Sequence, residues 1–242
     1  MGTHGMVTSG HYLATATGFK IMQQGGNAID AAAATCFAIN LLEPQSNGIG
    51  GEVPTLVYSA NDKKAYSISG MGWSPKAFTI DWCRENDIDL IPGDGYLPAC
   101  VPATVDTWAT AVARFGTLSF SQILAPVIDL AENGYPIYQS LHDSLEANYT
   151  KYTELYQTTG EVYLKDGRVP EIGEIFRNPD WANMLRILCK AEKEADGNGR
   201  IAGIEAARDA FYKGSIAEII AKFISYFVPT FKSSIIFINN LI

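Results

Sequence analysis

The sequence has few residues of the kinds that hold metal ions or build disulfide frameworks. Its 242 residues include four cysteines, which are widely separated and form no Cys-x-x-Cys pair. Its three histidines lack the spacing of metal ligands, and such histidines more often pack or lie at the surface: His4, His11 and His142. We therefore expect neither a metal nor an organic cofactor.

Charge is also scarce, and its balance is acidic. Charged residues make up 18% of the sequence, and the formal net charge is −8. A phosphate backbone is bound by clustered lysine and arginine, and the sequence has no such cluster, so nucleic acid is not expected as a partner. Hydrophobic residues make up 47% of the sequence, which is enough for a sizeable core in one large domain.

Long apolar segments that could enter or cross a membrane are missing too. The start, Met1 to Met6, has no basic region followed by an apolar stretch, so we expect no secretory signal. The tail 224–242 is shorter and more polar than a membrane span, because four residues break its apolar content: Pro229, Lys232, Asn239 and Asn240. The sequence therefore predicts a cytoplasmic protein without a membrane partner.

A buried helix is the clearest feature that the sequence does contain. Asn27 is a suitable helix cap, Asp30 lies in the first turn, and alanines follow. The segment continues to Leu42 almost without charge, which predicts a helix covered on nearly all sides. The glycine-rich turn Gly48 to Gly51 comes next, and it could either approach a ligand through its backbone or pack beside a strand.

Further along, Thr55 to Tyr58 and Ala65 to Ile68 predict a β-hairpin, and Pro102 predicts the first position of a helix. Three segments are the most specific ones in the sequence: Gly25-Gly26-Asn27-Ala28-Ile29-Asp30, Glu43-Pro44-Gln45-Ser46-Asn47-Gly48-Ile49-Gly50-Gly51 and Leu124-Ala125-Pro126-Val127-Ile128-Asp129-Leu130-Ala131-Glu132-Asn133-Gly134. Their order resembles the large subunit of the γ-glutamyltransferase family, a group of N-terminal-nucleophile hydrolases.

The resemblance covers residues 5–223 and implies an α+β fold. Specifically, it implies a helix-rich part of an αββα sandwich that lacks the small-subunit strands. We expect a family domain over 1–223 and a tail over 224–242 that does not belong to the family, from a shifted frame or an early stop. The implied parent activity is acyl transfer or hydrolysis at γ-glutamyl or related amide bonds, in glutathione metabolism.

The family's nucleophile is a threonine at the new amino terminus that self-cleavage creates, at the start of a small subunit. That position lies beyond this chain, so we expect no catalytic residue here and no activity from the chain alone. The only threonine pair, Thr158-Thr159, is expected in a loop before Gly160. A small subunit carrying the threonine is the implied partner, if one is made, together with a small amide substrate.

The implied substrate-binding residues lie in the segment around Pro75. Alignment on this proline places Met71 where the family has the arginine that binds the α-carboxylate of the glutamyl group, with Trp73 and Ser74 beside it. Methionine cannot bind a carboxylate, which brings the chain nearer to oxamate amidohydrolase or cephalosporin acylase. The alternatives are a non-catalytic fragment and a small binding module that keeps the pocket.

Overall fold

The computed structural model describes residues 2–228, in which helices predominate. In chain order they are α1 (Tyr12–Gln23), α2 (Ala28–Leu42), α3 (Ile80–Glu85), α4 (Thr104–Phe115), α5 (Phe120–Asn133), α6 (Gln139–Ala147), α7 (Tyr149–Glu154), α8 (Gln157–Tyr163), α9 (Pro179–Glu194), α10 (Arg200–Tyr212) and α11 (Ser215–Phe227). Two antiparallel strand pairs accompany them: β1 (Thr55–Ser59) with β2 (Lys64–Ile68), and β3 (Tyr135–Pro136) with β4 (Ile175–Phe176).

The chain forms two compact units. The first comprises residues 2–48 and 122–186, and the second comprises 49–121 and 187–228. The expected tail begins within α11, and its residues 229–242, including Pro229, Lys232, Asn239 and Asn240, lie outside the described part of the chain. The division into a domain over 1–223 and a tail over 224–242 stays a prediction.

Helix α2 is the core of the first unit. Asn27 caps the helix, as the sequence predicted, and the structure shows that the cap is reciprocal: the Asn27 Oδ1 accepts the N–H of Asp30 at 3.1 Å, and the Asp30 Oδ2 accepts the N–H of Asn27 at 2.9 Å. Phe37 and Leu42 are fully buried. The hydroxyl of Tyr135 donates to the carbonyl of Leu41 at 2.9 Å, which fastens the end of α2 to the chain that follows α5.

His11 is a packing residue at the start of α1. Its Nδ1 accepts the N–H of Leu13 at 3.2 Å, which caps the helix, and its ring lies 4.8 Å from that of Tyr138. Burial lowers the pKa of His11 below its ordinary value, because the charged imidazolium would lose its hydration there. The ring is therefore neutral and can accept this hydrogen bond.

The threonine pair lies in α8 and not in a loop, so that prediction was wrong. The N–H groups of Thr159 and Gly160 donate to the carbonyl of Tyr156 at 2.9 and 3.1 Å, and Gly160 is buried. Threonine and glycine have low helix propensity, and packing of the turn overrides it here. Because its backbone is engaged inside a helix, Thr159 has no feature of a processed amino terminus.

The second unit contains the predicted hairpin, in which Leu56 pairs with Ser67 and Tyr58 with Ala65. Helix α4 begins at Thr104, so Pro102 lies outside its first turn rather than at its first position, as the sequence had suggested. Pro102 has no N–H to donate, but its carbonyl accepts a hydrogen bond from the hydroxyl of Tyr212 at 2.7 Å. This bond ties the entry of α4 to the end of α10.

Candidate functional site

The loop that carries Met71 follows β2 and is fixed at Gly70. Gly70 has a φ of +58°, and a Cβ at this position would lie 2.0 Å from the carbonyl oxygen of Val53. The Gly70 carbonyl in turn accepts the N–H of Val53 at 2.8 Å. Only glycine allows this turn, which leads the chain into the next residue, Met71.

A second close approach fixes the other side of Met71. A Cβ on Gly72 would lie 2.1 Å from the carbonyl oxygen of Val101, so a larger residue would push the two segments apart. The N–H of Val101 donates to the carbonyl of Trp73 at 2.9 Å. The loop is thereby held against the segment that leads into α4, and Met71 lies between the two fixed points.

The structure brings two of the three predicted binding residues together. Met71 and Trp73 are 50% and 67% exposed, and both line a cavity of about 60 Å³. Ser74 lies in a different and larger cavity of about 560 Å³, next to α3, whose lining includes Phe78, Cys83 and Cys100. Met71 and Trp73 thus share one site, and Ser74 belongs to another.

Three further residues of the Met71 cavity were missed by the sequence analysis. They are Asp106 at the start of α4 and Arg208 and Tyr212 near the end of α10. Asp106 and Arg208 are 102 residues apart in sequence, so no local pattern relates them. Only the packing of α10 against α4 brings these side chains to Met71.

Tyr212 stabilises the wall of the cavity through hydrogen bonds to two backbone segments. Its hydroxyl donates to the carbonyl of Pro102 at 2.7 Å and accepts the N–H of Asp106 at 3.0 Å. Burial raises the pKa of Tyr212 well above its ordinary value, because the phenolate would lose its hydration. The phenol therefore stays neutral, holds both backbones and is not suited to proton transfer near neutral pH.

Arg208 provides the cationic group of the Met71 cavity. Its Nε donates to the carboxylate of Asp106, and its Nη1 lies 3.6 Å from Asp209. Lys213 also pairs with Asp209, at 2.9 Å. The guanidinium thus belongs to a group of two acids and two bases whose charges balance, and the side chain of Arg208 is 15% exposed.

An apolar cavity of about 210 Å³ lies next to the loop of Met71 and has Val101 and Pro102 in common with the smaller cavity. Gly50, from the glycine-rich turn, lines it together with apolar side chains such as Ile220 and Ile224. A Cβ on Gly48 or Gly50 would meet no atom within 4 Å. Close packing is therefore not what requires glycine at these two positions.

Metal-binding clusters and membrane-spanning helices are both absent from residues 2–228. This part of the chain has no group of three or more histidine, cysteine, aspartate or glutamate side chains placed to hold a metal ion. Nor does any helix among these residues have the length and apolar content needed to cross a bilayer.

Comparison with known proteins defines the family. The model of the gamma-glutamyltranspeptidase family matches residues 14–227. The chain is 31% identical over 228 residues to the glutathione hydrolase-like YwrD proenzyme of Bacillus subtilis, covering 91% of this chain and 39% of that protein. It is 32% identical over 231 residues to the oxamate amidohydrolase proenzyme of Klebsiella pneumoniae, covering 92% of this chain and 40% of that protein.

The fold agrees with this match. The crystal structure of Helicobacter pylori gamma-glutamyltranspeptidase is similar with a TM-score of 0.79 and 28% identity, over 92% of this chain and 60% of that one. The chain belongs to the gamma-glutamyltranspeptidase family. The predicted resemblance and the helix-rich, partial α+β fold are therefore confirmed.

Proposed function

We propose that this chain forms the large-subunit part of an amide-cleaving enzyme of the family. In the proposed reaction the hydroxyl of an amino-terminal threonine attacks the amide carbonyl, the amine leaves, and water hydrolyses the threonyl ester. The threonine would come from the part of the protein that corresponds to the remainder of the relatives, of which this chain spans about two fifths. Pairing with such a small subunit, a role in glutathione metabolism and a cytoplasmic location are parts of this proposal.

The observation that carries the proposal is the placement of Met71. The loop around it is fixed by Gly70 and Gly72, and its side chain lines a cavity, as a substrate-binding residue requires. A thioether cannot replace the paired hydrogen bonds that a guanidinium gives a carboxylate. We therefore propose that the acyl group is short and lacks the amino-acid head of a glutamyl group, as in the oxamate of the Klebsiella relative.

A chimera tests this function. Residues 1–223 would be joined to the matching remainder of the Klebsiella oxamate amidohydrolase, and self-cleavage and kcat/KM would be measured on oxamate and on a γ-glutamyl anilide. An unpaired, desolvated carboxylate costs about 2–5 kcal/mol, so the glutamyl substrate should lose roughly 30- to several thousand-fold in kcat/KM. Met71→Arg should recover part of this loss.

Met6→Arg is the matched control, because Met6 is an exposed methionine in the other unit. This substitution should leave kcat/KM unchanged for both substrates. A folded chimera that neither cleaves itself nor turns over either substrate would count against the proposed activity. If the chimera handled the glutamyl substrate as well before the Met71→Arg substitution as after it, another residue would have to bind the carboxylate.

A further inference from the structure

We propose that Arg208 is a specificity-determining residue that binds the carboxylate of a short acyl group in the Met71 cavity. The inference rests on the proposed function, since it names the acyl class that this site takes. Arg208, on α10, lines the same cavity that Met71 lines from its loop. Arg208 is far from residue 71 in sequence, and only the fold brings the two residues to one cavity.

The placement of Arg208 suits it for an anionic ligand. Among the nine residues that line the cavity, it is the one cation, and Asp106 is the one acid. The ion pair with Asp106 holds the side chain in place before any ligand arrives. An arginine fixed in this way loses less conformational entropy on binding than a mobile one.

The guanidinium also keeps donors for a ligand. It has five N–H groups in a planar fork. Among residues 2–228, its hydrogen bond is the one from Nε to Asp106, since the 3.6 Å separation of Nη1 from Asp209 is too long for one. Nη1 remains in an ion pair with Asp209, and Nη2 can therefore donate a hydrogen bond to a carboxylate.

The size of the cavity favours a short acyl group. Its volume of about 60 Å³ is less than a third of the 210 Å³ of the apolar cavity next to it. That room suits a carboxylate and the atoms next to it. The exposed side chains of Met71 and Trp73 would cover the apolar side of such a ligand.

Asp106 has an opposing effect on the same ligand. Its carboxylate shares the positive charge of Arg208 and would lie close to a second carboxylate in the cavity. Removing its charge should therefore strengthen anion binding, whereas removing the charge of Arg208 should weaken it. This opposition of sign is specific to a binding role, because a purely structural ion pair would lose function from either change.

Binding can be measured without turnover on residues 1–242 labelled with ¹³C at the methionine methyl groups. The chain has five methionines, so the signal of Met71 can be assigned from the spectrum of Met71→Leu. Oxamate should shift this signal in a saturable manner, and neutral acetamide should not. Arg208→Gln should weaken the oxamate affinity about ten- to a hundredfold, the range for a hydrogen bond to a charged group.

Three more variants complete the test. Arg208→Lys should keep more of the oxamate affinity than Arg208→Gln does, and Asp106→Asn should bind oxamate several-fold more tightly than the unaltered chain. Arg84→Gln is the control, because it removes an exposed arginine outside the cavity, and it should bind oxamate as the unaltered chain does. Equal oxamate binding by Arg208→Gln and Arg84→Gln would overturn the proposal. If Arg208→Gln does not fold, Asp106→Asn decides: tighter binding supports the proposal, and unchanged or weaker binding refutes it.

The two proposals fail separately. If oxamate binds near Met71 in a way that depends on Arg208 but the chimera is inactive, the binding site is supported and the proposed enzymatic function is refuted. If the chimera is active but the Arg208 variants bind oxamate as the unaltered chain does, the proposed function is supported and the proposed role of Arg208 is refuted.

Discussion

The carboxylate of Glu192 accepts the backbone N–H of Ser121 at 2.6 Å, so that a side chain of α9 caps the start of α5. Its second oxygen accepts the N–H of Phe120, also at 2.6 Å. The first N–H groups of a helix have no partner within the helix, and a negative charge there also suits its dipole. Glu192 is 6% exposed, and therefore water cannot readily take its place.

We expect Glu192→Gln to lower the free energy of unfolding by about 1.5–3 kcal/mol, since it replaces an ionic acceptor of two N–H groups by a neutral amide. Urea titration would measure the loss. Glu194→Gln is the control, because Glu194 lies on the same helix with its side chain exposed. A loss of similar size in both variants would contradict the capping role.

Replacing asparagine by alanine should have opposite effects on stability at the start of α2 and inside α9. Asn27→Ala should cost about 0.5–2 kcal/mol, because the N–H groups of Ile29 and Asp30 lose their acceptor. Asn183→Ala, at an exposed position inside α9, should be neutral or slightly stabilising, because alanine has the higher helix propensity. Thermal unfolding would compare the two, and similar losses at both sites would rule out this explanation.

Glu174 predicts a loss of stability in acid. Hydrogen bonds from Arg168 and Lys165 lower the pKa of Glu174 from 4.5 to about 2. Because the folded state favours the carboxylate, its stabilising contribution is complete above about pH 4.5 and disappears as the pH falls towards 2.

We therefore expect Glu174→Gln to lower stability at pH 7 and to reduce the dependence of unfolding free energy on pH between 4.5 and 2. Urea titrations across this range would measure both effects. Glu161→Gln, an exposed glutamate of the same unit, should retain the dependence of the unaltered chain. An identical pH dependence in Glu174→Gln would show that the interaction does not contribute.

The hairpin predicts self-association of the isolated chain. Leu56 and Tyr58 are 84% and 68% exposed on one face of β1, and β1 pairs with β2 alone in the described residues. Exposed apolar side chains beside an unpaired strand edge invite contact with another chain. The double variant Leu56→Lys/Tyr58→Lys should sediment with less oligomer than Ala60→Lys/Asn61→Lys, which adds the same two charges in the exposed turn and leaves the apolar pair in place. Equal oligomer content in both would argue against this face.

Local features were the ones that could be predicted from sequence. Asn27 and Asp30 are three residues apart, and the two strands of the hairpin follow each other closely along the chain, so both patterns are visible in the sequence. Thr158 and Thr159 were placed wrongly because their intrinsic preference for irregular structure is overridden by packing, which local propensity does not include.

The site was predictable only in part, for the same reason. Met71 was predicted as a site residue because a proline four residues away fixes the alignment of its loop with the family. Arg208 was not found, since it reaches the cavity through the packing of α10 against α4 and through an ion pair that spans 102 residues. Ser74 is next to Trp73 in sequence, yet it lines the other cavity.

The close pairing of α1 and α2 has a consequence for the order of folding. Only four residues, Gln24 to Asn27, connect these helices, and their contacts join residues near in sequence. Closing such a short loop costs little chain entropy, whereas the contacts of the Met71 cavity must close a loop of more than a hundred residues. We therefore expect the helical hairpin to form early during synthesis, before the residues that complete the cavity have emerged from the ribosome.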